Sequence, residues 1–327
     1  MGSKFDHVIE YSLQPEWSED AKRAYSNVEG WGTIPISESD VEDVLKGSFD
    51  IHIHSHPDPL IDTGWDQLDV ACRACDEGMG GVCFKSQTLP TANTAPLVQK
   101  AVDEYAKANG KERVLVFGGV VLNHYVGGIN PKVVEMSARA GGKIVWMPSH
   151  DAAHHRRVLG ETGGVEVITP EGEVLPAVKT VMELCLEYDM IFDTCHTGTR
   201  EKYILVDEAK KMGINKILVN HPNWNITRTS IDQMVELSEM GGYMGLYMYG
   251  SVPGFNNNKV DPMEMFEIIK RVGPGMTVLA TDLGTAANVH PVQGLRLYIR
   301  LLLMGGVPKA DIEKMTKTNP RYLLGLD

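Results

Sequence analysis

The sequence predicts an α/β protein of the (β/α)8 barrel, or TIM barrel, class. From Phe49 onward, short β-rich runs alternate with amphipathic stretches. Runs such as KILVN and MTVLA are apolar almost throughout, as expected of parallel strands covered by helices rather than strands with one wet face. Eight β/α repeats in about 280 residues also match the usual size of such a barrel. An open doubly wound sheet would call for a glycine-rich phosphate loop after its first strand. Here HSHPDP follows instead, and Gly118–Gly119, Gly127–Gly128 and Gly141–Gly142 do not complete that motif.

The expected strands are Phe49–His54, Gly81–Gln87, Val114–Asn123, Lys143–His150, Met190–His196, Lys216–His221, Tyr243–Tyr249 and Met276–Asp282. Between them lie helical stretches such as APLVQKAVDEYAKANG and REKYILVDEAKKMG, the latter ending on Gly213 as a C-cap. One domain spans 1–327, with the barrel at 49–307. Residues 1–48 form an N-terminal extension with a helix-like middle. Residues 160–175 read as a small β-hairpin inserted after the fourth strand, turning at Pro170-Glu171-Gly172. Residues 308–327 supply a closing C-terminal helix.

A formal net charge of -12 argues against nucleic acid and anionic membrane surfaces, which repel acidic proteins. The expected partner is a small molecule, and the expected assembly a homo-oligomer. No apolar run is long enough to cross a membrane. The opening MGSKFDHVIEYS lacks the basic and apolar regions of a secretion signal. Five cysteines do not form a disulfide framework, so a cytoplasmic location is expected. Cys72 and Cys75 form a C-x-x-C within a helical stretch, with no second such pair, and read as helix thiols.

The chemistry lies in the histidines. All but His7 fall at the carboxyl end of an expected strand or in the loop after it, the face that carries the active site in this fold. In FDIHIHSHPD, alternation puts His52 and His54 on one side of the first strand, where two imidazoles can bind one metal. His56, before Pro57, falls in the loop. His196 ends MIFDTCH, His221 ends KILVNH and Asp282 ends MTVLATD, each closing an apolar strand. Asp282 could instead cap the next helix. Lys85 is the odd residue in GVCFKSQ. Burial depresses a lysine's pKa, and a neutral amine beside a metal can take up carbon dioxide as a carbamate, an oxygen ligand. The other reading is a cationic lysine that holds a substrate carboxylate.

H-x-H on the first strand, histidines on the fifth and sixth and aspartate on the eighth resemble the amidohydrolase superfamily over about residues 48–327. The tail TNPRYLLGL matches the ending common in that superfamily. The resemblance implies that His52, His54 and Asp282 hold a first metal, that His196 and His221 hold a second, and that Asp282 shuttles the proton. The usual bridging lysine of the fourth strand is missing, since WMPSHD offers His150 there, and Lys85 would take its place. Failing that, the site is mononuclear. Imidazole and carboxylate ligands suit zinc first, with manganese, iron or nickel also compatible. The expected activity is hydrolysis of an amide, cyclic amide, lactone or ester of a small substrate. A mononuclear decarboxylase or C–C bond-cleaving enzyme is the alternative, and a metal-binding protein without activity the third reading. An adenosine-type deaminase fits less well, because CHTGT lacks the acidic residue such enzymes use. The loops offer His124, His150, His154, Arg157, Arg200 and Trp224 as substrate-binding residues.

Overall fold

The computed structural model describes residues 36–252 and 260–326. The chain divides into two compact units, Met1–Ser37 and Glu38–Asp327. Only the last residues of the first are described, so the helix-like middle expected within 1–48 lies outside the described residues.

The second unit opens with α1 (Glu38–Leu45) and then alternates strand and helix. The strands are β1 (Phe49–His54), β2 (Gly81–Lys85), β3 (Leu115–Val121), β4 (Ile144–Trp146), β5 (Ile191–Asp193), β6 (Ile217–Asn220), β7 (Gly242–Tyr247) and β8 (Thr277–Ala280). The helices between them are α2 (Gln67–Asp76), α3 (Ala95–Asn109), α4 (Pro131–Arg139), α5 (Ala153–Val158), α6 (Pro176–Glu187), α7 (Thr199–Lys211), α8 (Ile231–Glu239) and α9 (Pro262–Val272). After β8 come α10 (Pro291–Met304), α11 (Lys309–Glu313), a π-helical turn at Lys314–Thr318 and α12 (Asn319–Leu324). All strand pairs are parallel and in sequence order, as the (β/α)8 class requires.

Local chemistry sets the element ends. Asp66 and Ser230 begin α2 and α8 with reciprocal capping boxes. Gly110, at φ 62°, ends α3 in the left-handed region where glycine costs least. Every expected strand is present, but most are shorter than the apolar runs suggest. β4 stops at Trp146 and β5 at Asp193, so His150 and His196 stand in loops beyond the ladder. The hairpin expected at 160–175 is smaller than a pair of strands: one antiparallel bridge, Ile168 with Val174, preceded by α5. The closing helix exists, with the π turn in its middle.

β8 closes on β1 through a seam that matters for the site. The Asp282 N–H donates to His52 O at 2.8 Å, and the His54 N–H donates to Leu283 O at 2.8 Å. Beneath them the buried Asp50 carboxylate accepts from Thr281 N at 3.1 Å and Thr281 Oγ1 at 2.6 Å. Gly284, at φ 131°, then passes so close to β1 that a Cβ there would sit 1.7 Å from His54 O. Below the barrel, the Asn319 amide donates to Pro274 O at 2.8 Å and Thr277 O at 2.6 Å, anchoring β8 from behind.

Candidate active site

The pleat of β1 sends Ile51 and Ile53 toward the helices and Asp50, His52 and His54 into the barrel, and all are buried. His52 Nε2 lies 3.2 Å and His54 Nε2 3.1 Å from the same oxygen, Asp282 Oδ1. Neither ring nitrogen of His52 makes a hydrogen bond despite that proximity. Two ligands each about 2.0–2.1 Å from one first-row ion sit roughly 2.9–3.4 Å apart, so these separations suit a shared ion. Burial, reinforced by the Lys85 ammonium, pushes His52 down to about 3. Burial alone would raise the Asp282 carboxyl, but His52 and His54 outweigh it and hold it well below the usual carboxylate range. Neutral imidazoles beside an ionised carboxylate are the protonation state that ligates a cation. The residues present therefore fit a divalent metal. His52, His54 and Asp282 form the one compact group of three such ligands among the described residues.

A second pair of histidines stands beside them. His221 lies 6.2 Å from His52 and 4.9 Å from His196 between ring centroids. Burial first, then neighbouring positive groups, keeps His196 far below its ordinary value; burial likewise dominates at His221. His196 Nδ1 meets His155 Nδ1 at 2.7 Å, which leaves the Nε2 of His196 available to a ligand. Thr227 Oγ1 donates to His221 O at 2.6 Å and lies 3.5 Å from His221 Nδ1, placing an acceptor behind that ring. Three non-glycine residues at these strand exits adopt positive φ: Cys195 at 48°, His221 at 27° and Asp282 at 54°. Such backbone costs about 1–3 kcal/mol per residue and clusters where geometry serves function.

These groups open into a cavity of about 550 Å³. Its polar floor includes His54, Lys85, Gln87, His150, His196, His221 and Asp282, and its mouth is apolar, with Ile61, Leu159, Trp224 and Ile226. Of the residues expected to bind substrate, His150 and Trp224 line this cavity, whereas His124, His154, Arg157 and Arg200 do not. His124 is exposed on a 3-10 turn. His154 Nε2 is spent on Ile226 O at 2.7 Å. Arg157 pairs with Glu166 and Glu201, and Arg200 reaches Pro170 O on the outer surface. The physical reason is α5: consecutive residues on a helix point in different directions, so His155 faces the cavity and His154 turns away. Sequence reasoning assigned His155 no definite role. It also missed two interior carboxyls, Asp50 and Asp193, which burial pushes up to about 7 and about 8. Asp193 had a signal in MIFDTCH, as an acidic residue closing an apolar run, whereas Asp50 in KGSFD had none.

A family signature matches residues 47–245, more than half of the chain, and takes in every cavity residue named above except Asp282. The chain belongs to DUF6282, a family of unknown function. No curated protein matches this DUF6282 chain. Solved structures match its fold. An amidohydrolase from Pseudomonas aeruginosa is similar at TM-score 0.58 and 14% identity, covering 88% of this chain and 98% of its own. A probable dipeptidase from the same organism gives TM-score 0.59 at 13% identity, with 88% and 97% covered. The 2,6-dihydroxybenzoate decarboxylase from Rhizobium gives 0.50 at 12%, with 86% and 99% covered. At such identities the DUF6282 chain shares their barrel, and its chemistry must be argued from its own residues.

Proposed function

We propose that the chain is a metal-dependent hydrolase of amidohydrolase type, acting on an amide, cyclic amide, lactone or ester of a small molecule. One observation carries this reading: three ligand atoms from His52, His54 and Asp282 converge at ion-binding separations, and His54 and Asp282 line the cavity. When bound, a divalent ion supplies Lewis acidity and brings the pKa of water toward neutrality. The protein's own groups do the rest. His52 and His54 hold the ion in their neutral form. Asp282, kept ionised, accepts a proton from water and returns it to the leaving group. The apolar mouth formed by Ile61, Leu159 and Ile226 limits bulk water around the reacting bond. Barrels of this shape in the amidohydrolase and the probable dipeptidase support the reading.

Decarboxylation at a single ion is the second reading. The isolated three-ligand group and the fold shared with the Rhizobium decarboxylase favour it. The binuclear form of the hydrolase would place a second ion at His196 and His221 and a carbamate on Lys85. Metal analysis separates them. Purified protein is expected to carry a first-row transition metal, zinc foremost, and His52→Ala or His54→Ala should each remove at least one equivalent. Unchanged metal content in both variants would falsify the site.

A further inference from the structure

Two lysines among the described residues are fully buried, and they differ in one respect. Lys202 Nζ donates to Thr227 O and, at 3.0 Å, to Thr229 Oγ1, so its N–H groups are met by oxygen. Lys85, 1% exposed, reaches only the Cys195 thiol at 3.6 Å and the Trp146 ring face at 5.9 Å. No carboxylate of the described residues lies within ion-pairing distance of Lys85. A thiol and a ring are poor exchange for the water that an ammonium gives up on burial. Lys85 is among the residues that line the cavity.

A second donor stands two residues further along. Gln87 Oε1 accepts from Ser149 Oγ and, at 3.2 Å, from Asn123 Nδ2. Those bonds fix the amide so that its oxygen faces Ser149 and Asn123. The Gln87 NH2, with no partner among the described residues, is left for the cavity that Gln87 lines. Lys85 and Gln87 both line this cavity and bring to it a charge-assisted and a neutral N–H donor, the donor types that meet the oxygens of a carboxylate. Above them the walls are apolar: Ile61, Leu159, Ile226 and the Trp224 ring.

The geometry points to a substrate that is a carboxylic acid with a compact aromatic or branched apolar body, its carboxylate bound by Lys85 and Gln87 and its body against Trp224. This rests on the hydrolase reading and names its substrate class: the carboxylate is a recognition group, and the scissile carbonyl elsewhere on the molecule faces Asp282.

Calorimetric titration of zinc-loaded and chelator-treated protein with 2-naphthoate and with 2-naphthamide tests this, since the two share a shape and differ in charge. The acid should bind at least about tenfold more tightly than the amide in both forms, the usual worth of a charged hydrogen bond. Lys85→Met should bring the ratio close to one with zinc content unchanged, and Lys85→Arg should retain part of the preference. A preference that vanishes on zinc removal, or survives in Lys85→Met, assigns the acid to the metal and overturns the proposal. So does a second zinc per chain that Lys85→Met removes, which makes Lys85 a carbamate. The wild-type comparison needs no variant to fold, and zinc content in His52→Ala reports separately on the hydrolase reading.

Discussion

At the scale of single residues, Asp282 is asked to do two things, ligate and move a proton. Its carboxyl is held low by His52 and His54 against the opposing effect of burial. The Asp282→Asn variant keeps the shape and one ligating oxygen but cannot take up the proton. With a substrate in hand, turnover should fall by about 10²–10⁴, the usual share of general acid–base catalysis, while zinc content stays near that of the wild type. Near-normal turnover with zinc retained would assign the proton to another group, and His150 or His155 would be the first to examine. Residue identity at this scale is largely legible in the sequence. The spacing of His52 and His54 follows from strand alternation, and His196, His221 and Asp282 each close an apolar run. The side-chain directions after β4 are not legible, because no apolar period marks a helix as short as AHHRRV. Asp50 is illegible for a different reason: its partner Thr281 is 231 positions away, and nothing local announces a pairing across the barrel's closing seam.

Among the elements, the loop from β6 to α8 carries His221 and Trp224 and is held from outside by α7. Lys202 on α7 donates to Thr227 O and Thr229 Oγ1, and Thr227 Oγ1 in turn donates to His221 O. The clamp reaches His221 through Thr227, so Lys202 positions that histidine without touching it. Lys202→Met should therefore weaken zinc binding, by about 10- to 100-fold if His221 ligates, the usual effect of losing an outer-shell partner. Stability gives an independent readout. Burial pushes Lys202 down from 10.5 to about 7. Below about 7 both folded and unfolded chains carry this proton, and the fold bears the cost of the buried charge. Between about 7 and 10.5 the unfolded chain still holds the proton and the folded chain has released it, so stability rises with pH. The melting temperature of wild type relative to Lys202→Met should thus climb from pH 7 toward about pH 10. A difference that stays flat over that range would show that Lys202 is buried with its charge intact. Element order is readable from the sequence because strands such as KILVN and MTVLA are apolar on both faces. Element ends are less so, because apolar residues continue past the last strand residue, as Met147 does after Trp146 ends β4.

For the molecule as a whole, the seam between β8 and β1 is both the barrel's closure and the proposed metal centre. The bonds Asp282 N–H to His52 O and His54 N–H to Leu283 O join the same three residues whose side chains converge. Anything that binds the closed barrel and not the unfolded chain stabilises it by linkage, by about 2.7 kcal/mol at a free ligand concentration 100 times Kd. Zinc should do this in the wild type, seen as a rise in the urea midpoint on titrating metal into chelator-treated protein. Gly284→Ala tests whether the seam is the cause. Its backbone at φ 131° is one that a side chain rarely adopts, and its Cβ would meet His54 O. The strand end must then move, and the three ligands lose their common focus. This variant should be less stable than wild type without metal, and it should also lose most of the zinc-dependent increment. If Gly284→Ala is destabilised yet gains as much from zinc as the wild type, closure and metal binding are separate properties of the fold, and the ion is held by the histidines irrespective of how β8 meets β1.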